Sequence, residues 1–402
     1  MTKHQLNFRI ALYGILLSSL IGGISFVFIF LESNLSHQLW GAIQGNILFS
    51  FIACLIGGLI IGLLKHKWGN YPHVAHHTIS ELKANLTIDY RPVFKNLTVA
   101  LFILIFGAGV GPEAALLSSI VMLSVWQADK LRYLFFNQDT FITLTVKEKL
   151  RRMFHPTEYI VTYSQDKASN HPKAKRVNII INTLFTFNGL FSFTFLMKLT
   201  EQPSFISHMG VSNWHLKELI LLIPLMIIGI AFGKAYLLLK KQMQKWFNFW
   251  QDQPIKKTLL GSVAIFLVSL SLPSLMFSGQ TSLGMVPEKY FQYSFLFLVG
   301  LVILKLVFLE ICLNTGWVGG DIFPIVFASI LLGFSLTHLF SGFDVVFIAA
   351  VTATAMGITI LKSPIGISLF IALFFPLNIF PIILLVGACF MVQKKVMAPK
   401  NA

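Results

Sequence analysis

The feature that most constrains this chain is a series of long stretches without a charged residue. Residues 10–31 and 42–64 contain no Asp, Glu, Lys or Arg, and each stretch is long enough for the ~20 helical residues that cross a bilayer core. Only 12% of all residues are charged and 55% are hydrophobic, whereas soluble domains have about 25% charged residues. Backbone polar groups in lipid must be hydrogen-bonded within the protein, so such stretches form helices. We therefore predict an all-α polytopic membrane protein.

Several further apolar stretches are too short to span a bilayer alone. Uncharged or nearly uncharged runs follow at 97–107, 114–126, 177–197, 219–239, 258–278, 294–313, 322–341, 344–361, 364–375 and 377–393. The runs at 97–107, 114–126 and 364–375 fall well below the length of a spanning helix. We interpret these three as broken or re-entrant helices.

Basic residues concentrate in a few segments between the apolar runs. The chain has a net charge of +15, and its Lys and Arg gather at 128–178, 240–257 and 394–400. This distribution is typical of membrane topology rather than of nucleic-acid binding, because cytoplasmic loops carry the excess of Lys and Arg. It predicts a multi-pass protein of the cell (plasma) membrane, with both termini and a basic loop at about 127–178 in the cytoplasm.

The sequence contains no pattern typical of a cofactor or of catalysis. Cys54, Cys312 and Cys389 lie far apart, without the spacing of a disulfide framework or a zinc site. The cluster of His73, His76 and His77 has no cysteine or regular helical pairing beside it, so we predict no metal site and no cofactor. No G-x-S-x-G, H-E-x-x-H or paired-aspartate motif occurs, and this disfavours an intramembrane enzyme.

Two interrupted segments about 200 residues apart resemble each other. GVGPEAAL at 109–116 and GGDIFPIVF at 319–327 each place glycines and a proline before a short apolar helix. Gly/Pro-interrupted segments in corresponding places are typical of transporters built from inverted repeats. A helix that begins at membrane depth offers free N–H groups and a positive dipole end to an anion. The alternative is that these small residues only allow close helix packing.

Four motifs in the same order resemble the CLC family of chloride channels and proton-coupled chloride transporters. Ile79, Ser80 and Glu81 stand where that family has I-P-E, Arg91-Pro92-Val93 matches its R-P-V, and Gly111-Pro112 matches its final Gly-Pro. Downstream, GWVGGDIFPIVF resembles G-G-I-F-A-P, FNG at 187–189 resembles F-N-A-P, and LKSPIGISLFIALFF resembles the R-A-P-L-T-G helix. The resemblance implies an inverted-repeat bundle with broken helices. It predicts one membrane domain over 1–402, with halves at about 1–200 and 210–395 and no attached soluble domain.

The resemblance also implies which residues form an anion site. Backbone amides of the two interrupted helices would line it, with a side-chain donor from another segment and one from near the C-terminus. We expect these anion-binding residues to be Val110, Gly111, Asp321, Ile322, Phe323, His77 or Thr78, and Asn378.

The acidic residues of the motifs depart from the family pattern. The family's gating carboxylate precedes Gly-Pro, where this chain has Val110, while Glu113 follows Pro112 in the first helical turn. Glu113 is therefore either a complement to the helix dipole or a displaced gate. We interpret Asp321 as a helix N-cap, with a cation or proton role as the alternative. Glu201 falls near the inner glutamate of proton-coupled members.

Two ionisable residues, Lys305 and Glu310, lie within one long apolar run. Such residues are functional candidates in a membrane, although snorkelling or a structural pair also accounts for them.

These features together predict passive or gated transmembrane transport of a chloride-type anion, by a homodimer with one pore per subunit. The alternative is a proton-coupled transporter of another small ion that uses Glu113 and Asp321.

Overall fold

The computed structural model describes residues 3–43, 45–164, 172–204, 206–250 and 253–397. Part of the predicted basic loop, 165–171, and the ends of both predicted cytoplasmic termini, 1–2 and 398–402, lie outside the described residues.

The secondary structure of the described part is helical. In chain order its α-helices are α1 Lys3–Ile43, α2 Ile47–Trp68, α3 Ala75–Asn85, α4 Val93–Ile105, α5 Glu113–Phe136, α6 Gln138–Thr143, α7 Val146–Phe154, α8 Pro172–Leu199, α9 Leu222–Trp246, α10 Pro254–Ser271, α11 Gln280–Leu283, α12 Val286–Lys289, α13 Phe295–Asn314, α14 Ile322–Leu336, α15 Val345–Leu361, α16 Pro364–Ala372 and α17 Phe380–Met397. Short 3-10 helices lie at Leu216–Leu221, Phe247–Trp250, Pro273–Leu275, Tyr290–Gln292 and Leu377–Ile379. The all-α prediction is confirmed.

Seven helical stretches among the described residues are long and apolar enough to cross a membrane. They are Phe8–Ile43, Ile47–Trp68, Asn178–Leu199, Leu216–Trp246, Pro254–Ser271, Phe295–Asn314 and Leu377–Lys394. The apolar helices α4, α14 and α15 have 13, 15 and 17 residues, and are shorter than the ~20 residues of an average span. Short apolar helices thus lie among the long spans. The run at 97–107 predicted the short α4, whereas α14 and α15 are shorter than their runs at 322–341 and 344–361.

The helix after the first Gly/Pro motif is longer than its apolar run. The uncharged residues end near 126, yet α5 continues for 24 residues to Phe136. Its charged residues are accommodated because the Lys130 ammonium donates to the carbonyls of Arg152 and Glu158 at 3.1 and 2.7 Å. Local charge therefore did not end this helix.

One compact unit consists of Met1–His37, Asn70–Leu101 and Ala114–Pro203. Polar side chains join its helices: the Gln127 amide donates to the Gly14 carbonyl at 2.8 Å, and the Asn96 amide donates to the Ser119 hydroxyl at 2.9 Å. Asn188 of the FNG motif donates to the Ile15 carbonyl of α1 at 2.9 Å. Such interhelical hydrogen bonds stabilise helix pairs in lipid, where hydrophobic association is weak.

The second compact unit consists of Gln38–Gly69, Phe102–Glu113 and Ser204–Ala402. Helices α14 and α15 form its core, and nearly all of their residues are buried. Helices α2 and α10 pack closely because Gly58 has no side chain: a Cβ there would overlap the Ser262 hydroxyl. The Thr258 hydroxyl donates to the Gly58 carbonyl at 2.7 Å. Two segments from the first 200 residues belong to this unit, so the compact units divide the chain differently from the predicted sequence halves.

Candidate functional site

The two Gly/Pro motifs meet through their backbones in the second unit. The Gly111 N–H donates to the Gly320 carbonyl at 2.8 Å, and the Gly320 N–H donates to the Gly111 carbonyl at 2.7 Å. This pair is an isolated antiparallel β-bridge. Helix α5 begins two residues after Gly111, and α14 begins two residues after Gly320. The bridge therefore fixes the starts of two helices beside each other.

The Glu113 carboxylate lies against the start of α14. Its Oε1 accepts the Phe323 N–H at 3.1 Å, and Ile322 is the preceding residue at the start of α14. A Cβ at Gly111 or at Gly320 would overlap the carboxylate group. The two glycines are thus the reason that the side chain fits here.

Half of this carboxylate is left without a partner. Glu113 Oε2 is buried and has no hydrogen-bond partner among the described residues. Buried polar atoms are generally hydrogen-bonded, so an unsatisfied carboxylate oxygen indicates a group with a second position or a second bonding state. The Glu113 carboxylate thus lies in the first turn of its own helix and also contacts the start of α14.

The groups at the start of α14 determine which charge it can bind. Unpaired N–H groups and the positive dipole end of a helix bind negative charge without Lys or Arg. The Glu113 carboxylate supplies negative charge at the start of α14. We call the N–H groups of Ile322 and Phe323, together with Gly111 and Gly320, the amide cradle.

Asp321 does not act as the predicted side-chain cap. It occupies the N-cap position of α14 but makes no capping hydrogen bond. Its Oδ2 instead lies 3.5 Å from the Lys240 ammonium of α9. Asp321 thus stands at the predicted N-cap position, but the side-chain capping bond is not made, because the carboxylate faces Lys240 instead.

Lys240 also approaches a fully buried acid. Its Nζ is 3.8 Å from Oε1 of Glu310, whose side chain accepts the Tyr236 hydroxyl at 2.5 Å and the Asn314 amide at 3.1 Å. Sequence reasoning missed Lys240 because it begins a basic segment assigned to topology. The available signal was its position on the last turns of an apolar helix.

Lys305 and Glu310 do not pair with each other. The Lys305 ammonium donates to the carbonyls of Leu275 and Phe277 at 2.9 and 2.5 Å, and it fixes the turn before α11. Each of these two buried charges therefore has its own set of partners, and the suggested pair is wrong.

Val110 is a packed residue of the loop before α5. It is fully buried, and a Cβ at Gly319 would overlap its side chain. The preceding Gly109 N–H donates to the Cys312 sulfur at 3.3 Å. These contacts bring Val110, Gly111, Asp321, Ile322 and Phe323 into one cluster.

Asn378 lies away from this cluster. Its amide donates to the Ser212 carbonyl at 2.6 Å, and the Ser212 hydroxyl donates to Asp344 at 3.0 Å. Asp344 caps α15 and follows the C-terminal end of α14, about 20 Å along α14 from the cradle at 1.5 Å per residue. The structure does not bring Asn378 to the amide cradle.

The remaining candidates belong to the first compact unit. The Thr78 hydroxyl is buried and hydrogen-bonds the Ser118 hydroxyl at 2.6 Å. His77 is exposed, 4.0 Å from Glu81, and Glu201 is exposed after the end of α8. Their roles stay predictions. Among the described residues no group of three His, Cys, Asp or Glu is placed to hold a metal ion.

Comparisons with known proteins place the chain in a family. The family model described as voltage gated chloride channel matches residues 177–393, more than half of the chain. No curated protein sequence matches it.

Solved structures share the fold at low identity. A CLC-type fluoride/proton antiporter is 16% identical, with 96% of this chain and 95% of that chain covered and a TM-score of 0.60. A slow cyanobacterial Cl⁻/H⁺ antiporter is 16% identical, with 98% and 99% covered and a TM-score of 0.67. A eukaryotic CLC transporter is 11% identical, with 94% and 71% covered and a TM-score of 0.57. The chain is thus a multi-pass membrane protein with the CLC fold, and it belongs to the voltage gated chloride channel family.

Proposed function

We propose that this protein transports a chloride-type anion across the membrane, and that the Glu113 side chain gates the path. The observation that supports this most directly is the position of the carboxylate, which accepts the Phe323 N–H at the start of α14. A carboxylate and a halide compete for the same donors, so the anion binds where Glu113 leaves. Transport therefore requires the side chain to move out of the amide cradle.

The charges beside the cradle fit this function. Asp321 alone would repel an anion at short range, but Lys240 lies 3.5 Å from it and offsets its charge. The cradle itself consists of neutral amides, which bind an anion without holding it as strongly as an ion pair would. This combination suits a site that must release its anion as well as bind it.

A liposome assay tests the proposal. Purified protein is reconstituted into vesicles loaded with KCl, and chloride release is followed with a chloride electrode after valinomycin makes the membrane permeable to K⁺. We expect chloride release above that of protein-free vesicles, and faster release from the Glu113→Gln protein. Absence of chloride release from both proteins at pH 7 and pH 5 would refute anion transport.

A second candidate is proton-coupled exchange, which is the activity of the similar fluoride/proton and Cl⁻/H⁺ antiporters. The observation that favours it is the unpartnered Oε2 of Glu113, which can take up a proton. A pH electrode in the same assay separates the two candidates. Proton movement at a fixed ratio to chloride, reversed by reversing the chloride gradient, supports exchange, whereas chloride movement that only follows the voltage supports a gated passive pathway.

Three finer features are part of the proposal. The chain acts as a transporter and not as an enzyme, assembles as a homodimer with one pore in each subunit, and resides in the cell membrane with both termini in the cytoplasm. The basic segments at 128–178 and 240–257 support that orientation. Crosslinking in native membranes and protease accessibility of terminal tags test assembly and orientation.

A further inference from the structure

Helix α7 presents an apolar stripe to the outside of the first compact unit. Val146, Leu150 and Phe154 are 73%, 51% and 44% exposed. Their spacing of four residues places them on one face of the helix. No buried residue occurs in α7, so the stripe is not part of the protein core.

Basic residues flank the stripe on both sides. At 100° per residue, Lys147 lies on one side of the stripe and Lys149 on the other, and Arg151 extends the basic side. Glu148 lies on the opposite face, where its carboxylate accepts the Arg152 guanidinium at 3.0 Å and is 3.8 Å from the guanidinium of Arg151, whose side chain is 63% exposed. The outward part of the helix therefore combines apolar and positively charged side chains.

Hydrogen bonds hold α7 beside the end of a spanning helix. The Tyr13 hydroxyl donates to the Met153 carbonyl at 2.6 Å, and Tyr13 lies four residues after Arg9, the last charged residue before the uncharged run 10–31. Four residues correspond to about 6 Å along a helix. Amphipathic helices at a bilayer surface bury their apolar face to a depth of about 5–10 Å. The hydrogen bond between Tyr13 and Met153 thus lies at the depth expected for the lipid interface.

We propose that α7 lies in the membrane interface and binds anionic lipid. Val146, Leu150 and Phe154 enter the acyl region, while Lys147, Lys149 and Arg151 contact lipid phosphates. Lipid is the occupant that matches both the placement and the charge, because the stripe is apolar and its flanks are basic. This inference does not depend on the transported ion.

A fluorescent probe on α7 tests the depth. Leu150→Cys carries an environment-sensitive dye in a Cys389→Ser background, because Cys389 is exposed whereas Cys54 and Cys312 are buried. The dye at residue 150 should be quenched by lipids that carry a spin label on the acyl chain. A matched dye at Glu148→Cys, on the face of the helix opposite the stripe, should be quenched much less. Equal quenching at both residues, or none at residue 150, would overturn the interfacial placement.

A second measurement tests the preference for negative charge. Quenching of the residue-150 dye is compared between spin-labelled phosphatidylglycerol and spin-labelled phosphatidylcholine at the same mole fraction. We expect stronger quenching by phosphatidylglycerol, and a loss of up to about fivefold in this preference for each of Lys147→Gln and Lys149→Gln. Equal quenching by the two lipids in the unsubstituted helix would overturn the anionic-lipid proposal. Unchanged elution on gel filtration shows that the variants remain folded.

Discussion

Replacing Glu113 by glutamine removes the charge of the gate and keeps its shape. The glutamine oxygen can still accept the Phe323 N–H, but a hydrogen bond to a charged group contributes about 1.5–3 kcal/mol and a neutral one about 0.5–1.5 kcal/mol. The side chain therefore loses about 1 kcal/mol of binding to the cradle. That difference is about fivefold in the ratio of occupied to vacant cradle.

The liposome chloride assay measures this shift at several pH values. In the wild type, flux should rise on acidification, because protonation of Glu113 also removes the negative charge that the α14 amides bind. Glu113→Gln should show high flux at neutral pH and little further change at acidic pH. A glutamine protein with the same flux and the same pH profile as the wild type would show that Glu113 does not occupy the anion path.

Other residues around the cradle give independent predictions. Gly320→Ala places a Cβ in the space of the Glu113 carboxylate, which is also the proposed anion position, and should lower chloride flux. Gly300→Ala meets no atom within 4 Å and should leave flux unchanged. Lys240→Met leaves two acidic partners without their cation and should lower the free energy of unfolding by about 2 kcal/mol, with reduced flux; Lys240→Arg should retain both. Tyr236→Phe removes the hydroxyl that donates to Glu310. It should lower the free energy of unfolding in detergent by about 1.5–3 kcal/mol, and an unchanged melting temperature would contradict that hydrogen bond.

The fold could largely be predicted because a bilayer allows few structures. Uncharged runs predicted the spans, and short runs such as 364–375 predicted the short helix Pro364–Ala372. The length of α5 could not be predicted in this way. Its charged residues are satisfied by backbone carbonyls some 20 residues later, and such tertiary partners are absent from the local sequence.

For the candidate site, the sequence predicted where the two helices begin, but it did not predict which side chains contact each other. Glycine and proline indicated where the two helices begin, because these residues permit close approach and suit a first turn. The bond from Glu113 to Phe323 joins residues 210 positions apart, so local spacing could offer only alternatives for Glu113. Lys240 escaped notice for the same reason, since its two acidic partners lie 70 and more residues away.

The β-bridge between Gly111 and Gly320 explains how so divergent a sequence can keep its architecture. Main-chain atoms are the same in every amino acid, so mutation of neighbouring side chains leaves this linkage chemically intact. Sequence drift is restricted mainly at the two positions where a methyl group would not fit. The chain is 16% identical to two antiporters whose structures match nearly its whole length. A linkage made by main-chain atoms tolerates side-chain differences on that scale.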